Sequence, residues 1–161
     1  MPFTLIHGFS GYLFSIPFTK NEKLRWLAFL GAMIADLDGL PLFYDFFFGT
    51  NYYSIIHRAL FHPLIAGILF SIIAAYIAKK YLKVNKLKAF GFFFFGFLLH
   101  NLLDALFTNW PVKLFYPLID TVYAYPALAQ YMYPMYAIMT ILFLVAIAPQ
   151  LKTLKNKFIL N

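Results

Sequence analysis

Five apolar runs divide this chain, and each approaches or reaches the length at which a helix crosses a membrane. A helix needs about 20 apolar residues to cross roughly 30 Å of hydrocarbon. The runs cover residues 3–18, 24–44, 59–78, 89–108 and 131–148. Because 63% of the residues are hydrophobic and only 12% are charged, a soluble domain of this size could not bury the apolar surface. The pattern predicts an all-α, polytopic membrane helical bundle of about five spans, forming one domain over residues 1–161.

Two segments need separate interpretation. No Lys or Arg precedes the first run, so it lacks the basic region of a cleavable signal peptide and is expected to remain as a span. Residues 109–130 contain Pro111, Pro117 and Pro126. Because proline interrupts regular helices, these residues are expected to form an irregular outer segment.

Basic residues follow every second apolar run. They are Lys20, Lys23 and Arg25, then Lys79, Lys80, Lys83, Lys86 and Lys88, then Lys152, Lys155 and Lys157. Lys and Arg mark cytoplasmic loops, so the pattern predicts an integral plasma-membrane protein with its N-terminus outside and its C-terminus in the cytoplasm. The net charge is +7, and all basic residues except Arg58 and Lys113 lie in these short clusters, which favours membrane lipids over nucleic acid as partners.

Seven ionisable residues lie in apolar stretches, where such groups are costly and usually functional. They are His7, Asp36, Asp38, His57, His62, His100 and Asp104. Counted at ~1.5 Å per residue from the cytoplasmic clusters, those within the runs lie about 17 to 24 Å up their helices. A lone histidine is more often packed against a backbone carbonyl, but a shared layer in the outer half of the bilayer favours a metal site. Asp45 and Asp120 are expected to be solvated or capping residues.

Local spacing supports the same site. His100 and Asp104 are four residues apart, so they share one helix face and can hold a single ion. Asp36 and Asp38 are two apart, which would splay them on a regular helix. Gly39 and Pro41 predict that the helix ends or breaks there, and an unwound end lets both carboxylates turn inward.

The segment before the third run carries two more histidines and an arginine. Pro63 is tolerated in a first helical turn, so His57 is expected to approach the site from the loop and His62 from the helix. Arg58 lies between these ligands. It is either a headgroup anchor or a residue that holds an anionic substrate.

These residues form an ordered motif set. Its members are Ile6-His7-x3-Gly11, Asp36-x-Asp38-Gly39, His57-Arg58-x3-His62, and His100-x3-Asp104 followed by Leu114-Phe115-Tyr116-Pro117-Leu118. Together they resemble the YdjM-like membrane-bound metal-dependent hydrolases, which are similar to zinc-dependent phospholipases C and single-strand nucleases. The resemblance implies a hydrolase that acts on phosphate esters. The chain departs from the family pattern at Ala35, where the family commonly has Pro. It also departs at Ala59, where the family has Gly, and at Phe61-His62-Pro63, where the family has a Thr-His-Ser-like stretch.

The ligand types restrict the metal. The chain has no cysteine, so thiolate sites are excluded, and imidazole with carboxylate suits zinc first, with Mn, Fe or Ni as alternatives. Four histidines and three aspartates are enough for two ions if one aspartate bridges them. In this scheme Asp36 or Asp38 bridges and takes part in catalysis by activated water, while Arg58 neutralises charge on the phosphoryl group. A site in the outer half of the bilayer favours a phospholipid or another lipid-linked phosphate as substrate.

Two other functions use the same ligands. A divalent-metal transporter or channel predicts polar residues continuing to the cytoplasmic side, and the inner halves of the runs are nearly devoid of them. A metal-stabilised scaffold or sensor without turnover is the third hypothesis.

Overall fold

The computed structural model of the chain describes residues 4–39, 41–53, 60–108 and 112–159. The α-helices in these ranges are α1 (Thr4–Ser15), α2 (Glu22–Ile34), α3 (Pro41–Phe48), α4 (Leu64–Ile77), α5 (Lys86–Phe107) and α6 (Met132–Ile159). Four segments of the described chain are long and apolar enough to cross a membrane: Glu22–Phe48, Leu64–Leu82, Lys86–Phe107 and Ala129–Lys152. The predicted all-helical architecture is therefore confirmed, and four of its segments have the length and composition of membrane spans.

The first apolar run is not among these four segments. It forms α1, which has 12 residues, and a 3-10 turn over Ile16–Phe18 that contains Pro17. A helix of this length extends about 18 Å, which is short of the roughly 30 Å of a hydrocarbon core. Helix α1 instead packs against α2, α5 and α6 and buries His7 and Tyr12 among them. The described residues therefore contain four helical segments of spanning length rather than the five predicted, and α1 is a short helix packed inside the bundle.

Helices α2 and α5 touch through their backbones at the centre of the bundle. A Cβ atom on Gly31 of α2 would overlap the carbonyl group of Phe93, and one on Gly96 of α5 would overlap the carbonyl group of Ala28. Small residues permit such close approach of membrane helices, where dispersion and hydrogen bonding replace the hydrophobic effect. This contact fixes the spacing between α5, which carries His100 and Asp104, and α2, which leads into the turn that carries Asp36 and Asp38.

A hydrogen-bonded cluster joins α6 to the rest of the bundle near the basic clusters. The Tyr12 hydroxyl donates to Glu22 Oε2 at 2.6 Å, and Gln150 Nε2 donates to the same oxygen at 2.7 Å. Arg25 pairs with Glu22 Oε1 at 2.9 Å. The cluster lies at the end of α1 opposite His7, so it is separate from the layer of histidines and aspartates.

The segment that follows α5 is irregular in its described part, residues 112–128. Val112 and Tyr123 exchange two backbone hydrogen bonds of 2.9 Å, and the Tyr125 N–H donates to the carbonyl oxygen of Ala105 at 2.9 Å. These bonds hold the segment against the last turn of α5. It therefore covers the end of the bundle next to Asp104.

Candidate metal centre

Helix α5 supplies the centre of the site. His100 and Asp104 are fully buried on one face, and His100 Nε2 lies 3.7 Å from Asp104 Oδ2. The face predicted from their four-residue spacing is thus observed. Helix α5 is regular here, so it holds both side chains without a special turn.

The helix that carries Asp36 and Asp38 changes its winding where the sequence predicted a break. Helix α2 ends at Ile34, and Ala35–Gly39 form a 3-10 turn. Asp38 is buried, and Asp36 Oδ1 lies 3.8 Å from His100 Nε2. The tighter turn therefore directs both carboxylates into the bundle.

The structure corrects the position expected for His62. Helix α4 begins at Leu64, with Pro63 as its N-cap, so His62 lies in the bend before the helix rather than on it. The physical reason is that proline disfavours helical backbone at the residue that precedes it. His62 is nonetheless fully buried, and its Nδ1 lies 3.0 Å from Asp38 Oδ2.

Helix α1 brings the remaining histidine. His7 Nε2 lies 3.4 Å from Asp104 Oδ1, and its ring packs on that of His100 with centroids 4.0 Å apart. Among the described residues, no hydrogen bond reaches either ring nitrogen of His7 or the Oδ2 atom of Asp36. Buried polar atoms are normally satisfied, so these atoms are available to bind a ligand or an ion.

Hydrogen bonds fix which nitrogen of two histidines carries the proton. His100 Nδ1 lies 2.8 Å from the carbonyl oxygen of Ala32, which can only accept, so Nδ1–H must be the donor. His62 Nδ1 likewise faces the Asp38 carboxylate and donates to it. In neutral rings both Nε2 atoms then present lone pairs, and they face each other at 3.1 Å. Two such lone pairs repel unless a proton or a metal ion lies between them.

The distance between the two Nε2 atoms fits a metal ion bound by both histidines. Two nitrogen ligands on one tetrahedral zinc ion lie about 3.3 Å apart, given Zn–N distances of about 2.0–2.1 Å. The observed separation of 3.1 Å between His62 and His100 is close to this value. Two buried triads can hold an ion, His7 with Asp36 and His100, and His62 with His100 and Asp104. His100 belongs to both.

The other predicted residues fall into three groups. His57 and Arg58 lie outside the described residues. Asp38 belongs to neither triad and contacts His62 Nδ1, the arrangement in which a carboxylate orients a metal-bound histidine. Asp45 accepts hydrogen bonds from the Thr50 hydroxyl and two backbone N–H groups, so its predicted capping role is observed.

Sequence reasoning missed two groups beside the triads. The carbonyl oxygen of Ala32 accepts from His100, and its only sequence signal is its place in the last turn of a helix, where carbonyls lose their intrahelical partners. Tyr136 of α6 is buried, and its hydroxyl is within the electrostatic influence of Asp104 and Asp36. Its only signal is its position near the outer end of the fifth apolar run.

Comparison with known proteins gives one match. The model of the family described as YdjM inner membrane protein matches residues 2–160. No curated protein and no solved structure matches the chain. The family match confirms the resemblance that the four motifs indicate.

Proposed function

The chain belongs to the YdjM inner membrane protein family, and we propose that it is a membrane-embedded, metal-dependent hydrolase of phosphate esters. The observation that carries the proposal is the pair of Nε2 atoms of His62 and His100, which face each other at 3.1 Å beside the buried Asp104 carboxylate. A buried cluster with this many lone pairs and negative charges requires cations. Imidazole and carboxylate ligands are those of hydrolytic zinc sites.

We assign the bridging role between two ions to Asp104 rather than to Asp36 or Asp38. Its Oδ1 faces His7 at 3.4 Å, whereas its Oδ2 faces His62 at 3.8 Å and His100 at 3.7 Å. Because His100 Nε2 has one lone pair, it can bind only one ion, so the two triads cannot both use it. His62, His100 and Asp104 would hold one ion, and His7, Asp36 and Asp104 the other.

The metal would supply a Lewis acid that lowers the pKa of water and neutralises phosphoryl charge. The chain's own groups would orient the histidine ligands, since the Asp38 carboxylate and the Ala32 carbonyl oxygen fix the tautomers of His62 and His100. Arg58 remains our proposed partner for the phosphoryl oxygens, because a guanidinium matches their geometry. His57 remains a proposed ligand from the same segment.

The position of the site favours a lipid substrate over a soluble one. Its residues lie at the end of the bundle away from the Tyr12–Glu22–Gln150 cluster, which is next to the basic residues. If basic loops are cytoplasmic, the site opens toward the outer leaflet. A phosphorylated lipid can reach that depth without leaving the bilayer.

An apolar core separates the site from the basic end, which favours hydrolysis over ion transport. The buried cluster of this core comprises Leu24, Leu27, Ala75, Ala78, Val84, Ala89 and Phe93. A transport pathway needs polar groups along its length. The polar Tyr12–Glu22–Gln150 cluster near that end bonds within itself, so it offers no continuous chain of ligands.

The proposed function predicts a metal content and an activity that depend on each other. Purified protein should contain about two zinc equivalents by elemental analysis, and it should release phosphate or a phosphorylated headgroup from phospholipids in mixed micelles. Chelation should abolish the activity, and zinc should restore it. Metal near zero would contradict the site, and metal without turnover on any phosphorylated lipid would favour the scaffold or sensor.

The proposed orientation gives a separate prediction. Because the chain has no cysteine, Tyr52→Cys, beyond the end of α3, and Lys80→Cys, in the π-helical turn after α4, are single, exposed probes. We expect an impermeant maleimide to label Tyr52→Cys in intact cells and Lys80→Cys only after the membrane is opened. The reverse pattern would place the site on the cytoplasmic side.

A further inference from the structure

Tyr136 brings an unused hydrogen-bond donor to the centre. It lies in the second turn of α6, its side chain is 9% exposed, and its hydroxyl has no hydrogen-bond partner among the described residues. A hydroxyl buried without a partner costs free energy that a phenylalanine would avoid. The stability of the fold therefore does not explain why this residue is tyrosine rather than phenylalanine.

The surroundings of this hydroxyl show what it faces. The Leu128 N–H donates to the carbonyl oxygen of Leu106 at 3.0 Å, which holds the segment leading into α6 beside the last turn of α5, two residues from Asp104. Asp104 is also the charged group that acts most strongly on the hydroxyl, so the hydroxyl lies beside the metal-ligand layer. Helix α6 is otherwise at the edge of the bundle, and only 6% of its spanning window is buried. Tyr133, one turn earlier on the same helix, is 75% exposed. Tyr136 is therefore the tyrosine of this turn that α6 directs inward.

We propose that the Tyr136 hydroxyl binds the substrate by donating a hydrogen bond to a phosphoryl oxygen held at the metal centre. The inference rests on the proposed function, because it needs an anion beside the ligands. Once metal ions offset the aspartate charges, an anionic oxygen can occupy the site, and a phenol is a good donor to it. Donors preset toward developing charge are a usual part of hydrolytic sites. No bond to Tyr136 forms or breaks.

The test is the Tyr136→Phe variant, with Tyr133→Phe as its matched control on the same helix. Zinc-loaded protein in detergent is titrated with inorganic phosphate and, separately, with short-chain phosphatidic acid by calorimetry. Loss of a hydrogen bond to a charged group should weaken binding about 10- to 100-fold in Tyr136→Phe. Metal content should be unchanged, and Tyr133→Phe should bind as the native protein does.

A second readout separates a substrate-binding role from a structural one. Because Tyr136→Phe removes an unpaired buried hydroxyl, its phosphate-free form should unfold at the same temperature as the native protein or higher. A lower unfolding temperature, or loss of metal, would show that the hydroxyl supports the fold or the ions and would overturn the inference.

The outcomes distinguish this inference from the proposed function. If the native protein binds phosphate and Tyr136→Phe binds it equally well, the inference is wrong and the hydrolase proposal stands. If the zinc-loaded native protein binds neither probe, both are overturned. Tighter binding of phosphatidic acid than of phosphate would assign the oxygen to a lipid headgroup, and equal binding would assign it to free phosphate. In either case the inference requires the loss in Tyr136→Phe.

Discussion

Asp104→Ala should abolish metal binding, with the largest effect of any single ligand. Asp104 is the residue assigned to both ions, since its Oδ1 lies 3.4 Å from His7 Nε2 and its Oδ2 lies 3.8 Å from His62 Nε2 and 3.7 Å from His100 Nε2. Loss of a group that only orients a ligand costs about 10- to 100-fold in metal affinity, so loss of this shared ligand should cost more than about 100-fold. Elemental analysis and competition with a zinc chelator measure the change.

Two further variants serve as comparisons for this loss of metal. His7→Ala removes a ligand of one triad, so it should lose about half of the bound metal. Asp45→Ala removes a carboxylate that caps a turn and should keep all of it. Helical circular dichroism and a single gel-filtration peak check that each variant is folded. Full metal content in folded Asp104→Ala would refute the ligand assignment.

Spacing along the chain was enough to predict the parts of the site that depend on one element. His100 and Asp104 share a face because a helix repeats every 3.6 residues. The break after α2 followed from Gly39, which favours helix ends, and from Pro41, which cannot continue the backbone hydrogen bonds of a helix. In both cases the relevant physics lies within a few residues of the side chains concerned.

Features that depend on how elements approach each other were not predictable. Asp38 and Asp36 both carry a carboxylate that could bind a metal ion. Asp38 nevertheless contacts His62 Nδ1, the ring nitrogen that does not face His100, because the bend before Pro63 brings the ring to it. Tyr136 has no distinguishing spacing in the sequence, and it is the packing of α6 against α1 that accompanies its burial. Hydropathy also counted the first run as a span, since it records apolar character and not where the Pro17 turn ends the helix.

Gly96→Ala should destabilise the protein and weaken its metal site together. The added methyl group would overlap the backbone carbonyl of Ala28, which cannot rotate away as a side chain could, so α2 and α5 must separate. Overpacking of this kind costs about 1–3 kcal/mol or more, which corresponds to a fall of roughly 2–12 °C in unfolding temperature for a chain of this size. Thermal unfolding in detergent, followed by tryptophan fluorescence, measures it.

The same helix offers a matched control, because no described residue outside this stretch of the helix lies within 4 Å of a Cβ atom on Gly91. Gly91→Ala should leave the unfolding temperature unchanged or raise it, since alanine favours a helix over glycine by about 1 kcal/mol. The two variants differ only in whether the methyl group meets α2.

Gly96 is one turn before His100, and Ala28 is one turn before Ala32, whose carbonyl oxygen fixes the His100 tautomer. Separation of the helices should therefore lengthen that hydrogen bond and lower zinc affinity in Gly96→Ala alone. Equal stability of the two variants would show that the α2–α5 contact does not position the site.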